Sequence, residues 1–246
     1  MAIATHSRAE WKITESNLLD SPAPGVSVIE IQCRNDSLIA RVTCATFEEK
    51  AYTLRVIDSP DPGRATLATV LSESQVIAGV NGAYFHANYT PVGLVVADGK
   101  TKHPFEKAKL LSGILTVRTD GSISIIRSGQ FSAKAPPPAQ ALQCGPMLVE
   151  KTKPVAGLND KKSARRTAVA TGPKGKIAIV YISSVTLADA AQILSLHNLF
   201  ESWRPTTALN LDGGSSSGFW TRSGTHLPEI KRVRNFLAIA PRKNAS

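Results

Sequence analysis

Short runs of apolar and β-branched residues alternate with clusters of glycine, proline, aspartate and asparagine along most of the chain. This pattern is typical of β-strands joined by tight turns. A first hairpin is predicted over residues 26–47, where VSVIEIQC and LIARVTC flank the turn sequence RNDS, and the clearest one joins residues 111–118 and 122–126 through TDG. Further strands are predicted over residues 52–57, 91–97, 111–118, 122–126, 166–171, 177–183, 206–211 and 232–240, and over the run VIAGVNGAYF.

Two segments, residues 65–73 and 186–200, instead have the apolar period of an amphipathic helix. The second begins with Thr186 and Asp189, which have the spacing of a capping box. Many strands with two main helices predict an α+β fold: a single domain with a mixed or antiparallel β-rich core.

The first residues of the chain differ from the rest. Residues 1–24 are of mixed composition and end in the turn-like sequence SPAPG at residues 21–25. We therefore expect an N-terminal extension over residues 1–25 and the main domain over residues 26–246. A chain of 246 residues is long enough to bury a substantial core.

The net charge is +10, from 29 lysines and arginines against 19 aspartates and glutamates. This excess favours an anionic ligand. The densest basic runs are KKSARR and KRVR, and neither is interleaved with aromatic residues, which does not favour nucleic-acid binding. No apolar run reaches the length of a membrane span, and the N-terminus lacks the apolar stretch of a signal peptide. The sequence thus predicts a soluble, cytoplasmic protein without a membrane partner.

The three cysteines, Cys33, Cys44 and Cys144, have no metal-ligand spacing. A tight turn in the first hairpin would place Cys33 opposite Leu38 and Cys44 opposite Ser27. Because the two thiols would then lie far apart, we expect reduced, buried cysteines rather than a disulfide.

Two predicted strands end in a polar residue that is followed by glycine. Asn81-Gly82 follows the run VIAGV, and Asp212-Gly213-Gly214 follows ALNL. A polar residue at such a strand end sits on rigid backbone, and small neighbours allow a ligand to approach the main-chain N–H groups. The alternative for Asp212 is an ordinary Asp-Gly turn between strands.

Five segments carry a resemblance to a known family: VNGAYF with TPVGLVVADGK, CGPMLV, ARRTAVAT, LNLDGGSSS and RVRNFLAIA. In this order they resemble the phosphodiester glycosidase family. The resemblance implies a strongly β fold with the site at strand ends. It also implies hydrolysis of a sugar-1-phosphodiester, of the N-acetylglucosamine-1-phosphate type, to a free sugar and a phosphomonoester.

The resemblance also implies a set of site residues. Matched motif by motif, these are Asn81, Gly82, Arg166, Asp212, Gly213, Gly214 and Asn235. Thr167, Ser215 and Ser216, which adjoin them, complete the predicted substrate-binding set. Ala83 and Ser215 stand where the family usually has glycine, and His86 stands where an acid is common.

The implied reaction fits the presence of one candidate carboxylate. Ordinary glycosidases use two, and one of them protonates the leaving group. A phosphomonoester has a pKa of about 6 and departs with little protonation. Asp212 would then assist water, act as nucleophile or stabilise the developing cation.

The remaining predicted roles follow from side-chain chemistry. Arg166 would clamp the phosphate, with a surface charge in KKSARR as the alternative. His86 would act as an acid or base, or would pack beside its aromatic neighbours. Asn81 and Asn235 would orient sugar hydroxyls or phosphate, although Asn235 also fits an ordinary strand residue.

The backbone of residues 213–215 and the hydroxyl of Ser216 would cradle the remaining phosphate oxygens. No cluster of acids, histidines or cysteines has metal-ligand spacing. A divalent cation such as calcium or magnesium, held by Asp212 and backbone carbonyls, is compatible with the sequence.

Three functions are therefore in competition. The first is a hydrolase acting on an anionic small molecule or glycan that carries phosphate. The second is a non-catalytic or weakly catalytic binding protein for a nucleotide or sugar phosphate. The third, least favoured, is a nucleic-acid-binding domain that uses the net charge.

Overall fold

Eighteen strands and two α-helices form the regular structure of residues 10–59, 61, 66–132 and 134–242, which the computed structural model describes. The helices are α1 (Leu67–Glu73) and α2 (Leu187–Leu194). In chain order the strands are β1 (Lys12–Ala23), β2 (Val26–Arg34), β3 (Ile39–Glu48), β4 (Tyr52–Asp58), β5 (Ala78–Asn81), β6 (Val95–Ala97), β7 (Lys100–His103), β8 (Gly113–Val117), β9 (Ile123–Arg127), β10 (Gln140–Cys144), β11 (Met147–Glu150), β12 (Lys153–Pro154), β13 (Ala164–Thr171), β14 (Lys176–Val185), β15 (Thr207–Asn210), β16 (Phe219–Thr221), β17 (His226–Leu227) and β18 (Asn235–Pro241).

The strands form three sheets in the described residues, and every strand pair is antiparallel. The first sheet has the order β1-β2-β3-β14-β13-β15-β11-β12, the second β7-β6-β10-β8-β9, and the third β17-β16-β5-β18-β4. The prediction of an α+β fold with a β-rich core and two helices is confirmed. The core is antiparallel rather than mixed.

One hydrophobic core joins the inner faces of all three sheets. Val28 comes from the first sheet, Leu115 from the second and Val80 from the third, and all three are fully buried. The first sheet is also buried on its other face: in β14, Ile179 enters the shared core while Val180 packs toward α2. Strands buried on both faces read as continuous apolar runs, as β14 does.

Helix α2 covers the outer face of the first sheet. The predicted capping box is confirmed, because the Thr186 side chain accepts from the backbone N–H of Asp189 and the Asp189 carboxylate accepts from the N–H of Thr186. The helix ends at Leu194, so the predicted extent of residues 186–200 was too long. The chain turns back after Ser195 so that Phe200, only 2% exposed, enters the core beside α2.

Helix α1 covers the outer face of the third sheet, where Leu67 and Leu71 pack against Phe236. Thr66 caps the helix by accepting from the N–H of Thr69 at 3.2 Å. Helix α1 begins at Leu67, two residues later than predicted, and Ala65 lies outside the described residues.

The first predicted hairpin is confirmed as β2 and β3, but its predicted register was wrong. Cys33 faces Ala40 and Cys44 faces Ile29, each two residues from the expected partner. The turn is longer because the Asn35 side chain accepts from the N–H groups of Ser37 and Leu38.

All three cysteines are free and buried, as expected. Burial raises the pKa of the Cys33 thiol to about 12 and also raises the pKa of Cys44 and of Cys144. These thiols are therefore protonated and poor nucleophiles.

The predicted strand over residues 91–97 is shorter in the structure, where β6 begins only at Val95. The preceding residues turn back on the NGAYF segment instead. The N–H of Val92 donates to the Tyr84 carbonyl at 2.8 Å, and Phe85 forms a bridge with Pro91. Gly93, with φ +80°, then redirects the chain into β6.

Residues 10–25, placed by the sequence in an N-terminal extension, are integrated into the first sheet. Strand β1 pairs with β2 along its length. Trp11 is 1% exposed and donates from Nε1 to Asp189 Oδ1 at 3.2 Å, which links the segment to the start of α2. Neither helix in the described part of the chain has the length and apolarity needed to cross a bilayer.

We expect the substitution Trp11→Ala to lower the free energy of unfolding by about 3–5 kcal/mol, because it removes a fully buried aromatic side chain from the core. Leu18→Ala, in strand β1 that begins directly after Trp11, is the matched control: Leu18 is 61% exposed, and its loss should change the free energy of unfolding by less than about 0.5 kcal/mol. Urea denaturation of both variants measures the difference. Equal, small effects would show that the first strand is not part of the cooperative fold.

Candidate active site

Four of the sequence motifs converge where the first and third sheets meet. Antiparallel pairing sets the end of β5 beside the start of β18, and the end of β15 beside Ala168 in the middle of β13. A backbone bond joins the two pairs, because the N–H of Asp212 donates to the Gly82 carbonyl at 3.0 Å. Within the second pair, the N–H of Leu211 donates to the Thr167 carbonyl at 2.8 Å. The predicted site residues on these strands therefore share one region.

The Asn81 side chain lies at the centre of this junction and is fully buried. Its Nδ2 donates to the Asp212 carbonyl at 2.7 Å. Its Oδ1 accepts from Thr167 Oγ1 at 2.7 Å and from the N–H of Gly218 at 3.2 Å. The amide therefore holds β13 and both ends of the Asp212 turn against β5.

Gly82 fits against Asn235, and this contact requires glycine. A Cβ at Gly82 would lie 2.0 Å from Asn235 Oδ1. The Gly82 N–H donates to the Asn235 carbonyl at 2.8 Å, and Asn235 Oδ1 accepts from the N–H of Ala83 at 2.7 Å. The Asn235 side chain is thus more than a strand residue: it fixes the backbone that follows β5.

Asp212 follows β15 and is partly buried. Its Oδ1 accepts from the N–H of Gly213 at 2.8 Å, and its carboxylate also accepts from the Ser216 side chain. Burial raises the pKa of the Asp212 carboxyl, and the bonds from Ser216 and Gly213 and the charge of Lys231 only partly oppose this. A carboxylate with these properties is suited to proton transfer or to meeting positive charge.

The residues after Asp212 form a short 3₁₀ turn, Gly214–Ser216, rather than a hairpin between strands. Gly214 has φ +66° and open space where a Cβ would be, so the backbone here is accessible. Ser215 is exposed and Ser216 is buried, with its hydroxyl on Asp212. Gly213 and Ser216 therefore bond to the carboxylate, and the predicted role of residues 213–216 as a cradle for phosphate oxygens stays a prediction.

Arg166 lies beside this turn and is not a free surface charge. Its Nε donates to the Val185 carbonyl at 3.0 Å and its Nη2 to the Lys162 carbonyl at 2.7 Å. The third nitrogen, Nη1, lies 3.7 Å from the point where a Cβ on Gly213 would be. Burial lowers the pKa of the Arg166 guanidinium, which the neighbouring Tyr84 partly offsets. The two carbonyls fix the plane of a cation that faces the turn.

Arg165, which the sequence analysis did not select, braces the other side of the turn. Its Nε donates to the Gly214 carbonyl and its Nη1 to the Pro228 carbonyl, both at 3.1 Å. The side chain therefore ties the turn to the segment 228–231. Both arginines lie in the run KKSARR, and the sequence alone does not show that Arg165 holds the turn while Arg166 is the candidate for binding phosphate.

The segment 228–231 is attached to the turn by its backbone as well. The N–H groups of Ile230 and Lys231 both donate to the Ser215 carbonyl, at 2.8 and 2.9 Å. The Glu229 carboxylate accepts from the first N–H of α1, at Leu67, at 2.7 Å. The Lys231 ammonium lies 5.5 Å from the centroid of the Phe85 ring. These contacts bring a lysine to the site that the sequence analysis had counted only as part of a basic run.

The side chains of Tyr84 and Asn210 lie next to each other beneath the Asp212 turn and are joined by a hydrogen bond. The Tyr84 hydroxyl donates to the Gly145 carbonyl at 2.5 Å and accepts from Asn210 Nδ2 at 3.1 Å. Burial is the main cause that raises the pKa of Tyr84, and the charge of Asp212 adds to it, so the phenol stays protonated. Asn210 and Tyr84 lie inside recognised motifs, but their side chains could not be placed without the register of β15.

His86 is in a different situation from the other predicted catalytic residues. It is exposed, at the tip of the segment between Tyr84 and Val92, where its N–H donates to the Thr90 carbonyl at 2.8 Å. Within the described residues, no hydrogen bond or ion pair joins its ring to Asp212 or Arg166. Its predicted role as acid or base stays a prediction.

Several buried polar atoms around the turn have no hydrogen-bond partner among the described residues. They are Asn210 Oδ1, Ser217 Oγ, Asn235 Nδ2 and Arg165 Nη2. Most buried polar groups in folded proteins are paired. These four belong to residues in or next to the strand ends that surround Asp212.

No group of three or more histidines, cysteines, aspartates or glutamates that could hold a metal ion is found in the part of the chain that the structure describes. A cation here would have to use Asp212 with carbonyl oxygens, as the sequence suggested, and this stays a prediction.

Surface clefts do not mark the same region. One open cleft of about 540 Å³ is lined by Ser72, Gln75, Val76, Trp220 and Arg222. Another, of about 160 Å³, lies near Phe200 and Trp203. Neither contains the carboxylate or the guanidinium, so the site is assigned from the convergence of polar groups and not from cavity size.

Comparison with known proteins gives the region a family context. The sequence model of the phosphodiester glycosidase family matches residues 74–240, which include all the site residues described above. No curated protein sequence matches the chain.

Solved structures share the fold at low identity. The catalytic domain of zebrafish N-acetylglucosamine-1-phosphodiester alpha-N-acetylglucosaminidase, auto-inhibited by its pro-peptide, matches at a TM-score of 0.70 and 16% identity over 93% of this chain and 88% of that one. A hypothetical protein from Synechocystis matches at 0.65 and 17%, over 89% and 63% of the two chains. A putative exported protein from Burkholderia pseudomallei matches at 0.59 and 14%, over 86% and 77%. On the family match, which covers more than half of its length, the chain belongs to the phosphodiester glycosidase family.

Proposed function

We propose that this protein hydrolyses the bond between the anomeric carbon of a sugar and a phosphate oxygen in a sugar-1-phosphodiester. The observation that carries the proposal is one partly buried carboxylate, Asp212, held in a glycine-serine turn beside a fixed guanidinium, Arg166. The family match and the zebrafish relative's substrate, an N-acetylglucosamine-1-phosphodiester, support this substrate class.

In this proposal Asp212 acts at the anomeric carbon. As that carbon loses its bond to the phosphate oxygen, it develops positive charge. The ionised carboxylate stabilises this charge and directs a water molecule, or attacks the carbon itself. Water supplies the oxygen of the free sugar, and the bonding electrons leave with the phosphomonoester.

The phosphate is placed between the Arg166 guanidinium and the backbone of the 213–216 turn. A guanidinium matches phosphate oxygens in paired hydrogen bonds. The Nη1 edge of Arg166 faces Gly213, while the other two nitrogens are held by carbonyls. The guanidinium and the backbone N–H groups thus stabilise the negative charge on the departing phosphate. In an ordinary glycosidase a second carboxyl group does this by protonating the leaving group.

Asn81, Thr167 and Asn235 are assigned a positioning role here instead of substrate contact. The hydrogen bonds of Asn81 and Thr167 go to one another and to the Asp212 turn, and Asn235 Oδ1 holds Ala83. Their substitution would therefore move Asp212 and the turn.

The direct test is hydrolysis of UDP-N-acetylglucosamine, or a simpler N-acetylglucosamine-1-phosphodiester, by the wild type and by Asp212→Asn. We expect kcat/KM to fall by at least about 100-fold in the variant, because the replacement is nearly isosteric but cannot be ionised. Asp36→Asn, at an exposed turn, should behave as the wild type.

Two outcomes would contradict the proposal. Equal rates for the wild type and Asp212→Asn would remove the carboxylate from the mechanism. Tight binding of these diesters with no product from the wild type would favour a binding protein for nucleotides or sugar phosphates.

The pH dependence of kcat/KM tests the state of Asp212. Burial raises the pKa of its carboxyl, so it becomes protonated at a higher pH than an exposed aspartate, whose pKa is about 3.9. If the ionised form is required, kcat/KM will fall as the pH is lowered through that raised pKa. We expect an acid limb above about pH 4 in the wild type, and no such limb in the residual rate of Asp212→Asn. A limb at the ordinary value would contradict the structure.

A further inference from the structure

Lys231, which the sequence analysis did not select as a site residue, lies next to the turn that follows Asp212. Lys231 precedes β18 by four residues, and its backbone N–H is bound to the Ser215 carbonyl at 2.9 Å. The same segment is held through Pro228 by Arg165 and through Glu229 by the start of α1. The backbone of Lys231, from which its side chain extends, is therefore fixed relative to Asp212.

The ammonium itself is close to the site but not neutralised. It lies 5.5 Å from the centroid of the Phe85 ring, and Phe85 is separated from Asn81 by only three residues. Its charge lowers the pKa of Asp212, yet no ion pair joins it to a carboxylate of the described residues. Lys231 is exposed, so its N–H groups are available to an incoming anion.

Arg166 and Arg165 differ in which of their side-chain nitrogens remain able to bind a ligand. Arg166 uses two of its three nitrogens on carbonyls, so it offers one edge. Arg165 uses Nε and Nη1 to brace the turn through Gly214 and Pro228, and its Nη2 is buried without a hydrogen-bond partner among the described residues. A phosphodiester has two non-bridging oxygens, and Nη1 is the one nitrogen of Arg166 that is not bound to a carbonyl, so the second oxygen is open to another donor. A flexible ammonium on a fixed backbone can reach that second oxygen.

We infer that Lys231, whose ammonium lies 5.5 Å from the centroid of the Phe85 ring, binds the phosphate of the substrate together with Arg166. The inference rests on the proposed function and deepens it. The two cations would select substrates whose sugar carries an anionic phosphate over neutral glycosides. This role is one of substrate binding, and Asp212 remains the group at the anomeric carbon.

The test compares Lys231→Met with Lys231→Arg and with Lys100→Met, an exposed lysine in β7 on the edge of the second sheet. Binding of inorganic phosphate is measured by calorimetry, at low and at high salt, on the full chain. We expect Lys231→Met to weaken phosphate binding by about 10-fold, as loss of one charge-assisted hydrogen bond would. Lys231→Arg should retain most of the affinity, and Lys100→Met all of it.

Steady-state hydrolysis of the N-acetylglucosamine-1-phosphodiester gives an independent measure. We expect Lys231→Met to raise KM more than it lowers kcat, and the increase to shrink at high salt, where exposed charges are screened. Loss of kcat with unchanged phosphate affinity would overturn the inference, since Lys231 would then act only on Asp212.

The two proposals fail in different ways. Unchanged phosphate affinity in Lys231→Met, or no phosphate binding by the wild type, overturns the role of Lys231, whatever the turnover. Absence of turnover by the wild type, together with phosphate binding that depends on Lys231, supports the role of Lys231 and contradicts the proposed hydrolysis.

Discussion

The site depends on the hydrogen bonds of one buried amide, that of Asn81. Its two polar atoms contact three partners: the carbonyl of Asp212, the hydroxyl of Thr167 and the N–H of Gly218. These partners belong to β13 and to both ends of the turn that carries the carboxylate. Loss of the Asn81 amide would leave its three buried partners without a hydrogen bond, and each unpaired buried group lowers the stability of the fold. The bonds of this network therefore depend on one another. The same geometry requires glycine at position 82, where Asn235 occupies the space of a side chain.

The proposed chemistry follows from the groups that lie together where the first and third sheets meet. This junction brings together one carboxylate, a guanidinium fixed by two carbonyls and a turn with an accessible backbone. Such a set lacks the second carboxylate of an ordinary glycosidase. In the proposed reaction a phosphate leaving group would remove the need for it, because the group would depart as a stable anion held by cations. Burial raises the pKa of Asp212, and the same burial would strengthen its interaction with positive charge at the anomeric centre.

Local patterns predicted part of the structure and could not predict the rest. The capping box of α2, the hairpins and the polar strand ends were readable because each depends on residues close in sequence. The strands β10 and β11, with the sequences QALQC and MLVE, were missed because short apolar runs carry little periodicity and their pairing is long-range. Helix α2 ended early because Phe200 packs into the core, which only tertiary structure reveals. At the site, the motifs located Asp212 and Arg166. The positions of Arg165, Tyr84 and Lys231 depend on register and on contacts between distant segments, so single-sequence reasoning could not assign them.

The proposed reaction breaks the bond from the anomeric carbon to oxygen, and not the bond from phosphorus to oxygen. Hydrolysis of an N-acetylglucosamine-1-phosphodiester in water enriched in oxygen-18 separates the two, with mass spectrometry of both products. Attack at the anomeric carbon assisted by Asp212 predicts that the label enters the free sugar and that the phosphomonoester carries none. Label in the phosphomonoester would show attack at phosphorus, and would contradict the account of Asp212 and of the phosphate as leaving group.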